Sequence, residues 1–269
     1  MRRGGGDARK LIYVNYTPKV DFRQPFRLCR SGELRAGSAS VDAMLSSDLQ
    51  SRIVADSRDR VAWLRARSQG ITATDVAHLS TPASVLRAAK HKLQPSSFSG
   101  NAYTDHGRRR EPEIASWVEK EHGILPSTAL FRAEVEKRHL ATPDGIVEDA
   151  EGRILLAEIK TTNKPWRTIP RHYLRQVWWQ QHVLGAERTL FAWEEHRDFR
   201  PLHDEPKCVW IDRDEQEIEN LVGLATALID ELYRLTTGQK VPTGSLTPRE
   251  QAMLRAATQD AYRALALID

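Results

Sequence analysis

Thr142-Pro143-Asp144-Gly145, followed after eight residues by Ile154-Leu155-Leu156-Ala157-Glu158-Ile159-Lys160, sets the architecture of this chain. The second segment is a short apolar run that ends in charge, which reads as a strand whose tip leaves the core. Side chains two apart on a strand share a face, so Glu158 and Lys160 project together while Ile159 points the other way. The first segment is a turn that presents a carboxylate fourteen residues upstream of Glu158. Together they spell Asp-x13-Glu-x-Lys. Two hard oxygen ligands suit Mg2+ or Mn2+, which polarises a phosphodiester and lowers the pKa of a bound water. A lysine beside such a cation can orient or deprotonate the attacking water and offset charge on the phosphate. The same pattern also fits an exposed strand end that carries an ion pair between residues two apart.

Outward from this strand, Pro170 opens a helix that reaches about residue 184. Strands follow at Thr189-Leu190-Phe191-Ala192-Trp193 and Cys208-Val209-Trp210-Ile211, then a long helix over about 215–235. Upstream, residues 61–67 read as a helix that stops at Gly70. A second helix begins at Thr81-Pro82 and runs to about 93, and a third spans about 105–122 and closes on Gly123. Residues 94–101, rich in Ser, Pro and Gly, read as a surface loop. This order predicts an α/β fold with a central mixed β-sheet flanked by α-helices. Residues 1–45 lack sustained periodicity and read as a mobile leader, with Leu11-Ile12-Tyr13-Val14 as a short strand. Residues 46–240 form the main domain, and Thr247-Pro248 opens a helical extension over 241–269.

The composition narrows the function classes. Hydrophobic residues are 40% and charged residues 28% of 269, enough to bury a sizeable core. No apolar run approaches the roughly 20 residues that span a bilayer, so no membrane association is expected. Met1-Arg2-Arg3 has no apolar stretch behind it and does not read as a secretory signal. Cys29 and Cys208 alone cannot build a disulfide framework or a zinc ribbon, and a cytoplasmic location is expected. Residues 1–110 hold 20 Lys/Arg against 9 Asp/Glu, a charge of +11, whereas residues 111–269 hold 20 against 27, a charge of −7. A basic half beside an acidic one suggests a polyanion-facing surface next to a site that uses carboxylates.

Other residues add context. Glu111 precedes Ile114 and Val118 by three and seven positions, on the helical stripe expected to be buried, where a carboxylate needs a partner or a metal. Tyr173, Gln176, Val177 and Gln180 share one face of the helix after Pro170, an apolar stripe interrupted by amides. Arg108-Arg109-Arg110 fits either a solvated face or phosphate contact, and Trp178-Trp179 fits either the core or base stacking. His196-Arg197-Asp198 imitates a kinase catalytic loop, but position 203 is His rather than Asn and no Asp-Phe-Gly follows.

These residues amount to a family resemblance. Trp63, Arg67 and Gly70-Ile71-Thr72-Ala73-Thr74-Asp75 resemble the opening motif of the YqaJ-type viral recombinase nucleases, the lambda exonuclease family of the PD-(D/E)xK superfamily. His106-Gly107-Arg108-Arg109-Arg110-Glu111 resembles that family's Gly-x-x-x-Glu helix. The two segments quoted first resemble its metal-ligand strands, and Tyr173-Leu174-Arg175-Gln176-Val177 with Leu190-Phe191-Ala192 its last helix and strand. The resemblance implies a restriction-endonuclease-like core and a Mg2+-dependent 5′→3′ exonuclease, with Mn2+ as a substitute. Such an enzyme would resect double-stranded DNA ends to 3′ single strands for a single-strand annealing protein, working as a trimeric ring. It also implies that Asp144, Glu158, the Ile159 backbone carbonyl and Glu111 hold the metal, that Lys160 is the catalytic lysine, and that Gln176 assists. Arg67, Thr74 and Thr142 would bind the terminal 5′-phosphate, and Tyr173, Arg108 and Arg109 would touch DNA. Thr74 and Thr142 stand where the family has serine, and keep the hydroxyl. A site-specific or structure-specific endonuclease on the same core, or a DNA-end binding protein without activity, are the alternatives.

Overall fold

The structure, a computed structural model, describes residues 45–94 and 100–238. The leader, the tip of the serine-rich loop and the helix expected after Thr247 lie outside the described residues. The chain runs α1 (Ser47–Ser51), β1 (Ile53–Asp56), α2 (Arg60–Ser68), β2 (Ile71–Thr72), α3 (Ala73–Ala77), α4 (Pro82–Leu93), α5 (Ala102–His122) and β3 (Leu125–Pro126). It continues through β4 (Ala129–Arg132), β5 (His139–Ala141), β6 (Gly145–Glu148), β7 (Ile154–Thr162), α6 (Arg171–Leu184), β8 (Arg188–Arg197), β9 (Arg200–Pro201), β10 (Lys207–Asp212) and α7 (Glu215–Thr237).

Local chemistry sets these limits. Thr81 and Ser84 satisfy each other's backbone in a capping box, with Pro82 in the first turn of α4. Asn101 accepts from the Tyr103 and Thr104 N–H groups, so α5 begins three residues earlier than the apolar periodicity predicts. Gly123 ends it in the left-handed region at φ 68°, which a side chain would disfavour.

The expected central mixed sheet has the order β10-β8-β7-β6-β3, with β9 paired to β8 alone. In it β7 and β8 are parallel, and β6–β7, β8–β10 and β3–β6 are antiparallel. A second, four-stranded sheet, β1-β4-β5-β2, stands beside it. Its strands are two to four residues long, too short for alternation to show in the sequence.

Helix α6 locks the two sheets together. The Trp179 indole N–H donates to the Leu140 carbonyl of the small sheet at 3.0 Å, and the next residue, Gln180, donates to Glu158 of the large one at 2.7 Å. Trp178 and Trp179 are both fully buried, with Phe131, Phe191 and Trp193 in the same core. The base-stacking reading of this pair is therefore wrong: both rings are packing residues, each worth about 3–5 kcal/mol on truncation to alanine. Among the described residues, no helix is long and apolar enough to cross a membrane.

Candidate active site

Three residues, Thr142 to Asp144, connect the small sheet to the large one. Their backbone is pinned: the Asp144 N–H donates to the Ala157 carbonyl at 3.1 Å, and the Asp144 carbonyl accepts from Ser127 at 3.0 Å. The Asp144 carboxylate accepts from the Ile159 N–H at 2.6 Å, which leaves Ile159 its carbonyl to offer a cation. One register step away, Glu158 and Lys160 project to the same side of β7, as the alternation predicts, and form an ion pair. Glu158 is buried, and its other oxygen takes the Gln180 amide. The Lys160 ammonium also lies 5.6 Å from the centre of the Tyr173 ring.

Electrostatics ties these groups together. Burial, then the charges of Glu158 and Glu111, push the Asp144 carboxyl well above its ordinary pKa against the pull of Lys160. Burial works against the Lys160 ammonium, but the Glu158 and Asp144 carboxylates outweigh it and hold its pKa above the usual lysine value. Glu111 feels the same field. Its pKa is raised by burial against the attraction of Lys160, with Glu158 adding to the rise.

Glu111 corrects an expectation. Ile114 and Val118 are buried as predicted, but Glu111 is exposed. Here α5 overhangs the end of β7, where Gly107 faces the Thr161 hydroxyl. Glu111 thus stands open to water, yet near enough to Asp144, Glu158 and Lys160 for their charges to act on one another.

The residues fit a divalent cation by charge. Asp144, Glu158 and Glu111 carry three negative charges against one on Lys160, a balance that a half-buried site does not hold without a further cation or protons. Among the described residues, no three His, Cys, Asp or Glu side chains are already grouped as they would be around a metal ion. Mg2+ does not need such a group, since it keeps several waters and binds through one or two carboxylates.

A second cluster lies across the three-residue connection. Arg67 ends α2 and donates to the Thr74 hydroxyl of α3 at 3.3 Å, while its guanidinium lies 4.3 Å from the centre of the Trp63 ring. The Trp63 indole N–H donates to Thr142 at 3.3 Å. Burial lowers the Arg67 pKa, and Asp75 opposes it. Asp75 is itself held by Lys92 at 2.9 Å and by the Thr72 backbone and hydroxyl. The structure thus brings Arg67, Thr74 and Thr142 together through Trp63. Arg108 and Arg109 are exposed on α5, Arg108 beside Asp105 at 3.4 Å. Arg110 turns inward to the Glu194 carboxylate of β8 at 2.6 Å.

Gln180 and Trp63, which the sequence places on the amide stripe and in the opening motif without a role of their own, both touch the site. Gln180 lay on the amide stripe already, but Gln176 was favoured. The Oε1 atoms of Gln176 and Gln180 both lie buried without a hydrogen-bond partner among the described residues, and Gln180 reaches Glu158 through its amide nitrogen. Trp63 stood four positions before Arg67, the spacing at which helical side chains meet.

With this geometry in place, the comparison with known proteins is direct. Residues 62–187 match the YqaJ-like viral recombinase domain. The YqaJ-like stretch begins on α2 and ends just before β8, and it contains every candidate residue from Arg67 to Gln176. No curated protein matches the chain. Among solved structures, the alkaline exonuclease LHK-Exo from Laribacter hongkongensis is 22% identical, with a TM-score of 0.50 over 75% of this chain and 98% of that one. The structure of LHK-Exo in complex with dAMP gives 21% identity, the same TM-score and the same coverage. At this identity the likeness shows the fold alone, a mixed sheet flanked by helices of the restriction-endonuclease-like type. The domain match supports a nuclease of the lambda-exonuclease type.

Proposed function

We propose that this chain is a Mg2+-dependent exodeoxyribonuclease that degrades double-stranded DNA ends 5′→3′ and leaves 3′ single strands for recombination of the phage type. The observation that carries this reading is the arrangement of Asp144, Glu158 and Lys160 at the end of β7, three residues of chain from an arginine–hydroxyl cluster shaped for phosphate.

Each residue has a role in that chemistry. Asp144, Glu158, the Ile159 carbonyl and Glu111 would hold Mg2+, or Mn2+ in its place. When bound, that cation supplies Lewis acidity toward the phosphodiester and an acidified water. Gln180 fixes the rotamer of Glu158, so the carboxylate needs no reorganisation to accept a ligand. Lys160 keeps its proton and places a positive charge where the phosphate gains negative charge. Arg67 offers a planar fork of donors to the terminal 5′-phosphate, and Thr74 and Thr142 offer hydroxyls. Anchoring that phosphate holds the first scissile bond at a fixed distance from the carboxylates. The exposed Arg108 and Arg109 contact the backbone further along.

The 3′ strand would pass to a single-strand annealing protein, in the cytoplasm of a bacterial or phage-infected cell. Assembly as a trimeric ring around DNA would account for processive digestion, and sedimentation of a strict monomer that digests distributively removes the ring. The test of the activity is a time course on end-labelled linear duplex and covalently closed circles, with Mg2+ or EDTA. Loss of linear DNA alone, abolished by EDTA, is the expected result. Cleaved circles would indicate an endonuclease, and binding without cleavage an inactive end-binding protein.

A further inference from the structure

Both elements that frame the carboxylates continue to a second surface. Helix α5 leads back from Glu111 to Tyr103, eight residues and so about 12 Å along the helix axis. Strand β8 runs parallel to β7, pairs Lys160 with Trp193 and Thr162 with Glu195, and then continues past the end of β7 into a hairpin with β9. The two meet at an aromatic cluster. Tyr103 and Phe199 are 5.2 Å apart between ring centres, and Phe199 stacks over His196 at 5.7 Å and lies 5.4 Å from His106. His106 and His196 are buried beneath, but Tyr103 is 51% and Phe199 39% exposed.

Two features of this hairpin run against stability. Its two turn residues, Asp198 and Phe199, both have positive φ, 50° and 63°, where turns of this kind favour Asn-Gly and where a bulky aromatic residue is rare. In this turn the Phe199 ring lies between Tyr103 and the buried His106 and His196. Arg197 and Arg200 stand directly opposite each other across the ladder, a like-charge pair that repels. Of the nearby carboxylates, Glu194 is taken by Arg110 at 2.6 Å and Glu195 by Lys207 at 2.9 Å, and Asp198, in the turn between the two arginines, makes no ion pair with either among the described residues. Among the described residues, Arg109, Arg197 and Arg200 make no ion pair, and all three are exposed.

We propose that Tyr103 and Phe199, flanked by Arg109, Arg197 and Arg200, form a base-stacking subsite for single-stranded DNA beside the nuclease centre. Exposed aromatic rings interleaved with unpaired arginines match a single strand, whose bases offer π-faces and whose phosphates offer charge, and duplex DNA offers no free base faces. The separation of about 12 Å corresponds to roughly three or four stacked nucleotides at about 3.4 Å each. The subsite would therefore hold the strand a few nucleotides from the scissile bond. This inference rests on the nuclease reading, since it takes the strand from the same substrate.

The test separates the two. Binding of fluorescein-labelled dT12 to the full chain is followed by anisotropy in EDTA, where no cleavage occurs. Phe199→Ala is expected to weaken binding roughly five- to hundredfold, the loss of one stacked base. Arg197→Ala with Arg200→Ala is expected to lower the slope of log K against log salt by about 1.4, two phosphate contacts on a single strand. Phe199→Trp keeps the ring, and its added tryptophan emission, relative to the unmutated protein, should be quenched by dT12. Melting followed by circular dichroism checks that each variant is folded. Unchanged dT12 affinity in folded Phe199→Ala, or an unquenched Phe199→Trp, overturns the subsite. Digestion of linear duplex with Mg2+ by the unmutated protein is measured in parallel. Its absence counts against the nuclease reading alone, because the EDTA binding result does not depend on cleavage.

Discussion

Glu158 is the most constrained side chain of the site, with Lys160 on one oxygen and Gln180 on the other. Exchanging a carboxylate for an amide keeps the shape and removes the charge that a cation needs. Asp144→Asn or Glu158→Gln should therefore abolish cleavage of linear duplex while leaving DNA binding intact, and activity retained by either would remove these residues from the centre. Lys160→Ala should lower kcat by about 10²–10³-fold, the loss of one electrostatic stabiliser, while Mg2+ binding, followed by calorimetry, persists. The terminal phosphate gives a second test at this scale. Unmutated protein should digest 5′-phosphorylated duplex faster than 5′-hydroxyl duplex, and Arg67→Ala should shrink the preference by about 1.5–3 kcal/mol, the value of a charge-assisted hydrogen bond. Equal initial rates on both ends with unmutated protein would show that no such pocket operates. Asp144, Glu158 and Lys160 were legible because two-residue alternation and turn chemistry are local. Glu111 was misplaced because helical periodicity gives a face, but not where the neighbouring strand ends.

At the scale of elements, the long helices and the strands β7, β8 and β10 could be read from periodicity, and the structure extends β7 and β8 beyond the predicted ends. The small sheet could not be read: its strands are defined by partners far away in sequence, as β2 pairs with β5 through Ile71↔His139. Gly70 enables that pairing. A Cβ there would stand 2.4 Å from the Arg138 carbonyl oxygen, the same oxygen that accepts from the Ile71 N–H at 2.7 Å. Gly70→Ala must push β2 from β5, and with it the adjoining ends of α2 and α3 that carry Arg67 and Thr74. A loss of about 1–3 kcal/mol in urea unfolding is expected, as for overpacking elsewhere, together with a weaker 5′-phosphate preference. An unchanged urea midpoint would show that this close approach is not needed.

At the scale of the whole molecule, the interface between the small sheet and α6 carries a sensitivity to acid. His139 is buried with its Nδ1 3.0 Å from the His182 ring, and burial, then the His182 charge, lower its pKa from 6.5 to about 3. The unfolded chain takes up that proton near pH 6.5, but the folded one resists until about pH 3. This contribution is therefore present above pH 6.5 and is lost as pH falls through that window, by up to about 1.4 kcal/mol per pH unit. Burial works to raise the Glu136 pKa, but the Arg138 side chain outweighs it and holds it at about 2, so a second loss adds between pH 4.5 and 2. Urea unfolding at pH 7.5, 6 and 5 should show the falling stability, and His139→Gln should flatten it over this range. A pH-independent unfolding free energy in the unmutated protein would contradict the buried neutral histidine.

The connection Thr142-Pro143-Asp144 has a further consequence. Three residues reach at most about 11 Å even when extended, and this segment is tied at both ends, by Trp63 on Thr142 and by the Ala157 and Ser127 backbones on Asp144. On the proposed reading, anchor and cutting point cannot drift apart between turnovers, and a fixed step size is expected. Chromatography of the soluble products should show one length throughout digestion, set by that span rather than by sequence or salt. Inserting two glycines between Thr142 and Pro143 should loosen the step and release fragments of mixed length from the same DNA.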